Sequence, residues 1–233
     1  MKKVLRVAFI YKKSNPFLSG SHFDNTYYHF FMNALKRNSS IKVTYYPAEN
    51  SFDTKILKDQ TDVILLFTNH EFGVPKNLIG IQELDIPVIS MAGDPSVAKE
   101  SIQNHKKWKI DYYFHFLHED FFHEIYPKNF KYKTIFFGLE KKLYQNIIPF
   151  KDRIDNKILN TGAIGNQKLF SKLISYIKNP KWNAYEVYKL RSLCNKLPYV
   201  DYTSTLNHKY INDMFPQLLQ KYKSVISATA HNP

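Results

Sequence analysis

The chain has 233 residues, with 33 Lys and Arg against 20 Asp and Glu, which gives a formal net charge of +13. Aromatic residues make up 16% of the chain, enough for a substantial core, and this composition excludes an intrinsically disordered protein. The single cysteine, Cys194, excludes an internal disulfide, and no stretch is apolar for long enough to predict a spanning helix.

Short apolar runs alternate with turns and helical patterns through the first part of the chain. Near-continuous apolar runs are typical of parallel strands that are buried on both faces. The predicted strands are Val4–Tyr11, Ile41–Tyr46, Asp62–Thr68, Ile86–Ala92, Asp111–Phe116 and Lys133–Gly138. The predicted helices cover residues 22–37, Asp53–Asp59, Asn77–Leu84, Pro95–His105 and Glu119–Ile125. The alternation predicts an α/β domain over residues 1–150 with a mostly parallel sheet.

A polar segment, Asp152–Asn156, separates this domain from a second and thinner α/β unit over residues 151–233. Its predicted elements are a strand and glycine turn at Lys157–Gly165, helices at Tyr185–Leu197 and His208–Tyr222, and a strand at Lys223–Ala230. About 80 residues with so few strands are fewer than a complete α/β half usually needs. We therefore expect the second unit to be incomplete.

The loops that follow the predicted strands are the first place to seek a ligand site. In open parallel sheets, ligands bind beyond the carboxyl ends of the strands. Four of the seven glycines lie in such loops, and glycine allows sharp turns and close approach of the backbone to a ligand. These are Gly20, Gly73, Gly93 and Gly138. Ordinary turn chemistry is the alternative explanation for each of them.

A cluster of histidines and carboxylates runs from His115 to Glu124 but lacks the spacing of a metal site. Two ligands four residues apart point from one helical face, as in the zinc motif His-Glu-x-x-His. His118 and His123 are five residues apart and would diverge by roughly 140° on a helix. We therefore expect no metal at this cluster, and the acidic residues to occupy the exposed first turn of a helix.

The segment "GAIGNQK" (Gly162–Lys168) is a glycine turn after a strand, but it matches neither the P-loop nor G-x-G-x-x-G. Its backbone N–H groups and Lys168 could still meet a phosphate. Cys194 lies in a helical pattern without a neighbouring histidine, so we assign it to packing.

Three local patterns resemble the GT-B glycosyltransferases, in which two Rossmann-like domains face each other across a cleft. The loop and helix "NPFLSGSHFDNTYYHFFMNALKR" are similar to the family's glycine-bearing loop and first helix. The segment Phe136–Phe150 is similar to the interdomain segment, with Gly138-Leu139-Glu140, Tyr144 and Pro149 in the places of Gly-Val-Asp, an aromatic residue and Pro. "VYKLR" (Val187–Arg191) resembles the Tyr-Pro-Leu-Arg segment of the spore-maturation-like branch, with Lys189 in place of Pro.

The resemblance implies sugar transfer from a nucleotide-sugar donor, and it implies no cofactor or metal. Asp94 would accept the proton of the acceptor hydroxyl, or would only cap its helix, and His22 would bind acceptor or phosphate or stay an exposed loop residue. Acceptor contacts are assigned to Gly20 and His70. Donor contacts are assigned to Gly162, Lys168 and Arg191, with Arg191 either neutralising the leaving diphosphate or simply facing solvent.

The chain also departs from the family pattern. Many members carry a histidine directly after the fourth strand, where this chain has Ala92-Gly93-Asp94. The glycine and acidic residues of the family's donor site belong to a later part of the second domain, which the 233 residues do not reach. We therefore expect the chain to be the acceptor-side half with the start of the donor half, and to transfer sugar poorly or not at all by itself.

Two rivals belong to other functional classes. The segment from Thr61 to Pro95 also resembles the periplasmic-binding type of sugar- or small-ligand-binding module, although the chain shows no export signal. A basic scaffold or regulatory domain is the third possibility. The charge suits an anionic membrane surface or a phosphate-bearing acceptor, with nucleic acid as a minor option. We expect a cytoplasmic location, with peripheral membrane attachment left open.

Overall fold

The computed structural model describes residues 4–15, 27–70, 72–93, 95–136, 138, 140–161, 164–178, 184–203 and 214–226. The chain divides into two compact units, and for these described residues the division falls between positions 138 and 140. None of the described helices is both long and apolar enough to cross a bilayer.

Unit 1, the part up to residue 138, alternates strands and helices. Its strands are β1 (Leu5–Lys12), β2 (Ile41–Ala48), β3 (Ser51–Asp53), β4 (Val63–Leu66), β5 (Asn77–Ile79), β6 (Val88–Met91), β7 (Tyr112–His115) and β8 (Tyr132–Thr134). Its α-helices are α1 (Tyr27–Arg37), α2 (Ala98–Lys107) and α3 (Glu119–Ile125). Short 3-10 turns cover Thr54–Leu57, Ile81–Glu83 and Pro95–Val97.

Six of these strands form one parallel sheet in the order β2-β1-β4-β6-β7-β8. This confirms the α/β class and all six strands predicted for the sheet. The central strands are apolar on both faces because both faces are covered; in β1, for example, Phe9 and Ile10 are fully buried. The buried cluster that surrounds them, from Val7 to Tyr132, lies entirely within unit 1.

Unit 2, from residue 140 onwards, is built on a second parallel sheet in the order β10-β9-β11. The strands are β9 (Ile154–Thr161), β10 (Val200–Thr203) and β11 (Tyr222–Ile226), and the helices are α4 (Leu169–Lys178), α5 (Ala184–Cys194) and α6 (Met214–Gln220). Two 3-10 turns, Lys141–Tyr144 and Phe150–Asp152, precede β9. Pro216 is tolerated because it lies in the first turn of α6, where no intrahelical N–H bond is required.

Some predicted elements were wrong. Asn77–Leu84 is not a helix but the strand β5 followed by a 3-10 turn, because Gly80 adopts a left-handed conformation (φ 81°) between them. The α-helix predicted from Pro95 starts only at Ala98, after a 3-10 turn, and its N-cap is Val97. Within the predicted helix His208–Tyr222, α6 covers Met214–Gln220, and residues 208–213 lie outside the described residues. The elements β3, α4 and β10 were not predicted.

Candidate functional site

The strand order creates a switch point between β1 and β4. From β1 the chain moves to β2 on one side, and it then returns to β4 on the other side of β1. In parallel sheets of this kind the loops beyond the carboxyl ends diverge at such a point and leave a crevice. The loops after β1, β4 and β6 therefore form the candidate site of unit 1.

Hydrogen bonds tie the loop after β1 to the loop after β4. The backbone N–H of Lys12 donates to the carbonyl of Gly73 at 2.9 Å. The side-chain amide of Asn15, which is 1% exposed, donates to the carbonyl of Phe72 at 3.1 Å. Since a buried amide is costly unless it is bonded, this contact fixes the shape of the loop after β1.

Asn69 links the loop after β4 to the loop after β6. It is fully buried, and its Oδ1 accepts a hydrogen bond from the N–H of Gly93 at 2.7 Å. Its backbone carbonyl accepts from the side chain of Asn104 in α2 at 3.3 Å. The hydroxyl of Tyr126 donates to the carbonyl of Gly93 at 3.0 Å. Both backbone polar groups of Gly93, the N–H and the carbonyl, are thus hydrogen-bonded to side chains, and Gly93 directly precedes Asp94.

His70, predicted to contact the acceptor, lies in the same cluster and is 8% exposed. Its Nδ1 accepts a hydrogen bond from the N–H of Phe72 at 3.2 Å, and the two rings stack with centroids 6.0 Å apart. Acceptance at Nδ1 places the proton of the neutral ring on Nε2. His70 therefore has a fixed ring orientation and a defined donor atom.

Two glycines allow the loops to approach each other closely. A Cβ on Gly73 would lie 1.7 Å from Oγ1 of Thr68, and a Cβ on Gly93 would lie 2.8 Å from Oγ of Ser101. Both hydroxyl oxygens are buried, and neither has a hydrogen-bond partner among the residues that the structure describes. The edge is thus packed tightly around polar atoms, a composition suited to orienting a small polar ligand.

The outer part of this edge is charged. Lys12 ends β1 and Lys13 follows it, and Ser14 donates from its N–H and its hydroxyl to Glu49, at 3.0 and 2.6 Å. The Ser14 hydroxyl bond is the main cause that holds the pKa of Glu49 below its usual value, and the two lysines act in the same direction. The loop after β1 therefore places two lysines, Lys12 and Lys13, next to the buried polar residues of this edge.

In unit 2 the loop after β9 packs against α5. Gly165 lies so close to Tyr188 that a Cβ would be 2.5 Å from its ring. Asn160, fully buried at the end of β9, donates to the carbonyl of Arg191 at 3.0 Å. Lys168 is exposed, and its N–H donates to Oδ1 of Asn166 at 2.9 Å directly before α4.

Lys168 and Arg191 are therefore both connected to the carboxyl end of β9, one through the loop and the other through Asn160. Arg191 is half-buried on α5, so it is not a plain solvent-facing residue. A guanidinium can contact a phosphate through two N–H groups. The other four predicted site residues, Gly20, His22, Asp94 and Gly162, lie outside the described residues.

The sequence marked the loops that contain Asn15 and Asn69 (Lys12–His22 and Asn69–Gly73) but gave neither asparagine a role, and Asn104 was not marked. The signal that could have found Asn69 is its position directly after the buried run of β4, at the carboxyl edge. Asn15 also lies in a loop after a strand, but its contact partner is 57 positions away, and Asn104, whose partner is 35 positions away, has no such local signal.

The histidine cluster forms a helix start. α3 covers the predicted residues Glu119–Ile125, with His118 as its N-cap and Glu119 and Asp120 in its first turn. The side chains of His118 and Asp120 are mostly exposed, which confirms the solvated helix start. Within the described ranges, no three His, Cys, Asp or Glu side chains are grouped as a metal ion would require.

Two surface grooves lie away from the carboxyl edge. One, of about 540 Å³, is lined by residues that include Arg6, Asp59 and Thr61 and lies at the amino ends of β1 and β4. The other, of about 510 Å³, lies between residues 142–148 and residues 217–221 in unit 2. In a parallel sheet the amino edge is not the usual ligand edge, so we keep the carboxyl edge as the candidate site.

No protein-family model matches the chain, and no curated protein or solved structure is significantly similar to it.

Proposed function

We propose that the chain is a glycosyltransferase-like protein of the GT-B kind, which takes a sugar from a nucleotide-sugar donor. The observation that carries the proposal is the presence of two compact units, each built on its own all-parallel sheet. Two Rossmann-like domains are what the resemblance in the sequence implies. The proposed division of labour gives the acceptor to unit 1 and the donor to unit 2.

For unit 1 we propose that the acceptor lies at the switch point, next to His70 and the asparagine cluster. Gly20 and His22 follow β1 in the chain, and Asp94 follows Gly93, the residue that Asn69 and Tyr126 hold in place. In this proposal Asp94 accepts the proton of the acceptor hydroxyl, and His22 and His70 orient the acceptor. Fixing the acceptor beside its base is a large part of the acceleration in such reactions.

For unit 2 we propose that the donor diphosphate lies at the carboxyl end of β9. The turn predicted at Gly162, the exposed Lys168 and the half-buried Arg191 would supply N–H groups and positive charge. Negative charge develops on the departing diphosphate as the bond to the sugar breaks, so fixed cations there would lower the barrier. The start of α4 carries no acidic residue that would oppose an anion.

The second candidate is a small-ligand-binding module without catalysis. The observation that favours it is that the buried polar cluster of Asn15, Asn69 and His70 lies wholly within unit 1. A sugar could bind there without any contribution from unit 2. The two candidates differ in what they recognise: a transferase recognises the nucleoside diphosphate, whereas the module recognises a free sugar.

The compartment is part of the proposal. We propose a cytoplasmic location, which agrees with a chain whose only cysteine is a free thiol, Cys194.

Calorimetric titrations separate the two candidates. The chain is titrated with UDP, GDP, UDP-glucose, GDP-mannose and the corresponding free sugars. The transferase proposal expects one nucleoside diphosphate and its sugar conjugate to bind, with an affinity at least about tenfold lower in Lys168→Ala because one charge-assisted phosphate contact is lost. Lys196→Ala, an exposed lysine beyond α5, is the matched control and should bind like the wild type. Binding of free sugar alone, unaffected by Lys168→Ala, would favour the ligand-binding module.

A further inference from the structure

Helix α4 exposes its apolar side chains. Leu169 is 83% exposed, Phe170 71%, Leu173 56% and Ile177 72%. At 100° per residue these four positions fall within an arc of about 100°, so they form one continuous stripe along the helix. We call these four residues the α4 stripe.

Apart from the half-buried Ile174, the apolar residues of α4 are more exposed than packing within one protein requires. A helix on the surface of a globular protein normally turns its apolar face to the core. In α4, Ser171 and Ser175 are more buried than any residue of the stripe. Exposed apolar positions on neighbouring α5, Leu190 at 50% and Leu193 at 51%, add to the apolar surface of unit 2. An exposed apolar stripe like that of α4 marks an interaction site.

The sequence around the stripe is rich in lysine, and the nearest carboxylate, Glu186 of α5, accepts a hydrogen bond from the hydroxyl of Tyr176 in α4 at 2.9 Å. Residues 156–185 contain five lysines and no Asp or Glu. One of them, Lys172, lies beside the stripe, with its ammonium 5.8 Å from the ring centre of Tyr176 and 5.4 Å from that of Tyr185. Lysine next to exposed apolar side chains is the composition of helices that lie in the interface of an anionic bilayer.

We propose that α4 docks on the surface of an anionic lipid bilayer, with the α4 stripe inserted among the lipids and the lysines facing the headgroups. A second copy of the chain fits this surface less well. Self-association through α4 would bring two carboxylate-free lysine segments together on a chain of net charge +13, and like charges at an interface oppose binding. The proposal stands independently of the transferase function, since it needs no nucleotide or sugar.

Vesicle flotation of the full 233-residue chain tests the proposal. Vesicles of phosphatidylcholine alone are compared with vesicles that contain about 30 mol% phosphatidylserine, at about 0.1 M and about 0.5 M NaCl. We expect at least about tenfold stronger binding to the phosphatidylserine vesicles at the lower salt, and a loss of most of that binding at the higher salt. The double variant Phe170→Ser/Ile177→Ser should bind the same vesicles at least about tenfold more weakly, since two inserted apolar side chains are removed.

Phe136→Ser is the matched control, because Phe136 is 83% exposed but belongs to unit 1; it should bind like the wild type. Circular dichroism melts check that the double variant still folds. If the double variant does not fold, Lys172→Gln tests the proposal instead, and it should weaken vesicle binding several-fold. Equal binding to both vesicle types, or a double variant that binds like the wild type, would overturn the proposal. So would light scattering that finds a dimer in solution which the double variant converts to a monomer.

Discussion

At the scale of single residues, the carboxyl edge of the six-stranded sheet depends on side chains that fit with almost no spare room. Asn69 bonds two loops at once while fully buried, and Gly73 and Gly93 leave the space that Thr68 and Ser101 occupy. A side chain at either glycine would therefore require its enclosed neighbours to move.

Gly73→Ala should destabilise the protein by about 2–3 kcal/mol, since the new methyl group would overlap the buried side chain of Thr68. Adding Thr68→Ala should recover part of that loss, because it removes the atom that lies 1.7 Å away. Gly138→Ala is the control; nothing lies within 4 Å of the place that its new methyl group would take, so its effect should stay within about 0.5 kcal/mol. Urea unfolding measures all three, and equal stability of Gly73→Ala and Gly138→Ala would contradict the packing described for this loop.

Buried tyrosines should make the protein lose stability in alkali. Burial raises the pKa of Tyr45 and of Tyr132 to about 12, from an ordinary value of 10.0. Between these values the folded protein retains protons that the unfolded chain releases. The contribution of the two tyrosines to the free energy of unfolding is therefore complete below pH 10 and declines as the pH rises towards 12.

The corresponding measurement is the urea midpoint as a function of pH, for the wild type and for Tyr132→Phe. The variant should lose about 1 kcal/mol at neutral pH, because the Tyr132 hydroxyl donates to the carbonyl of Leu117 at 2.7 Å. It should also show a shallower decline above about pH 10. A wild-type midpoint that stays constant up to about pH 12 would show that these hydroxyls titrate as they do in water.

At the scale of elements, a strand is fixed to its neighbour by an aspartate at its start. Asp62, just before β4, accepts hydrogen bonds from the backbone N–H and the guanidinium of Arg6 in β1, at 2.8 to 3.1 Å. Asp111, just before β7, accepts from the N–H of Val88 at 2.8 Å. The amino edge of the sheet is thus held by carboxylates, and the carboxyl edge stays available for loops.

Asp62→Ala should lower the thermal unfolding midpoint by several degrees, because it leaves the N–H of Arg6 and its guanidinium without their main acceptor. Asp62→Asn keeps one acceptor oxygen, so its thermal unfolding midpoint should lie between those of the wild type and of Asp62→Ala. The comparison is Asp155→Ala, which breaks an exposed ion pair with Lys223 and should leave the midpoint unchanged. Equal midpoints for Asp62→Ala and Asp155→Ala would refute the special role of the strand-start aspartate.

Elements with one dominant local signal could be predicted, and the others could not. The six sheet strands were predictable from their short apolar runs, which are largely buried in the inner strands β1, β4, β6 and β7. The segment Asn77–Leu84 was wrongly predicted as a helix. Its strand β5 has only three residues before the turn at Gly80, so the alternation of buried Leu78 with exposed Ile79 is too short to be recognised in the sequence. Helix α4 was missed although Leu169, Leu173 and Ile177 recur at helical spacing; only their exposure depends on the tertiary structure. The contacts of Asn15 and Asn69 depend on the strand order, which no local pattern determines.

At the scale of the whole molecule, two units with separate sheets carry different proposed ligands. Unit 1 has a complete core and a polar cluster at its switch point, which suits the acceptor. Unit 2 has a thinner sheet, the Lys168 loop and the outward-facing stripe of α4. The proposed function therefore predicts that donor and acceptor affect different parts of the chain.

Hydrogen–deuterium exchange with and without the tightest-binding nucleoside diphosphate tests this central claim most directly. Because a bound ligand suppresses local opening, exchange should slow in the segment 164–172 and in α5 around Arg191. The peptides covering residues 67–73 and 88–93 of unit 1 should exchange as before. Slower exchange confined to those unit 1 peptides, or no change at any saturating concentration of a nucleoside diphosphate, would contradict the assignment of the donor to unit 2.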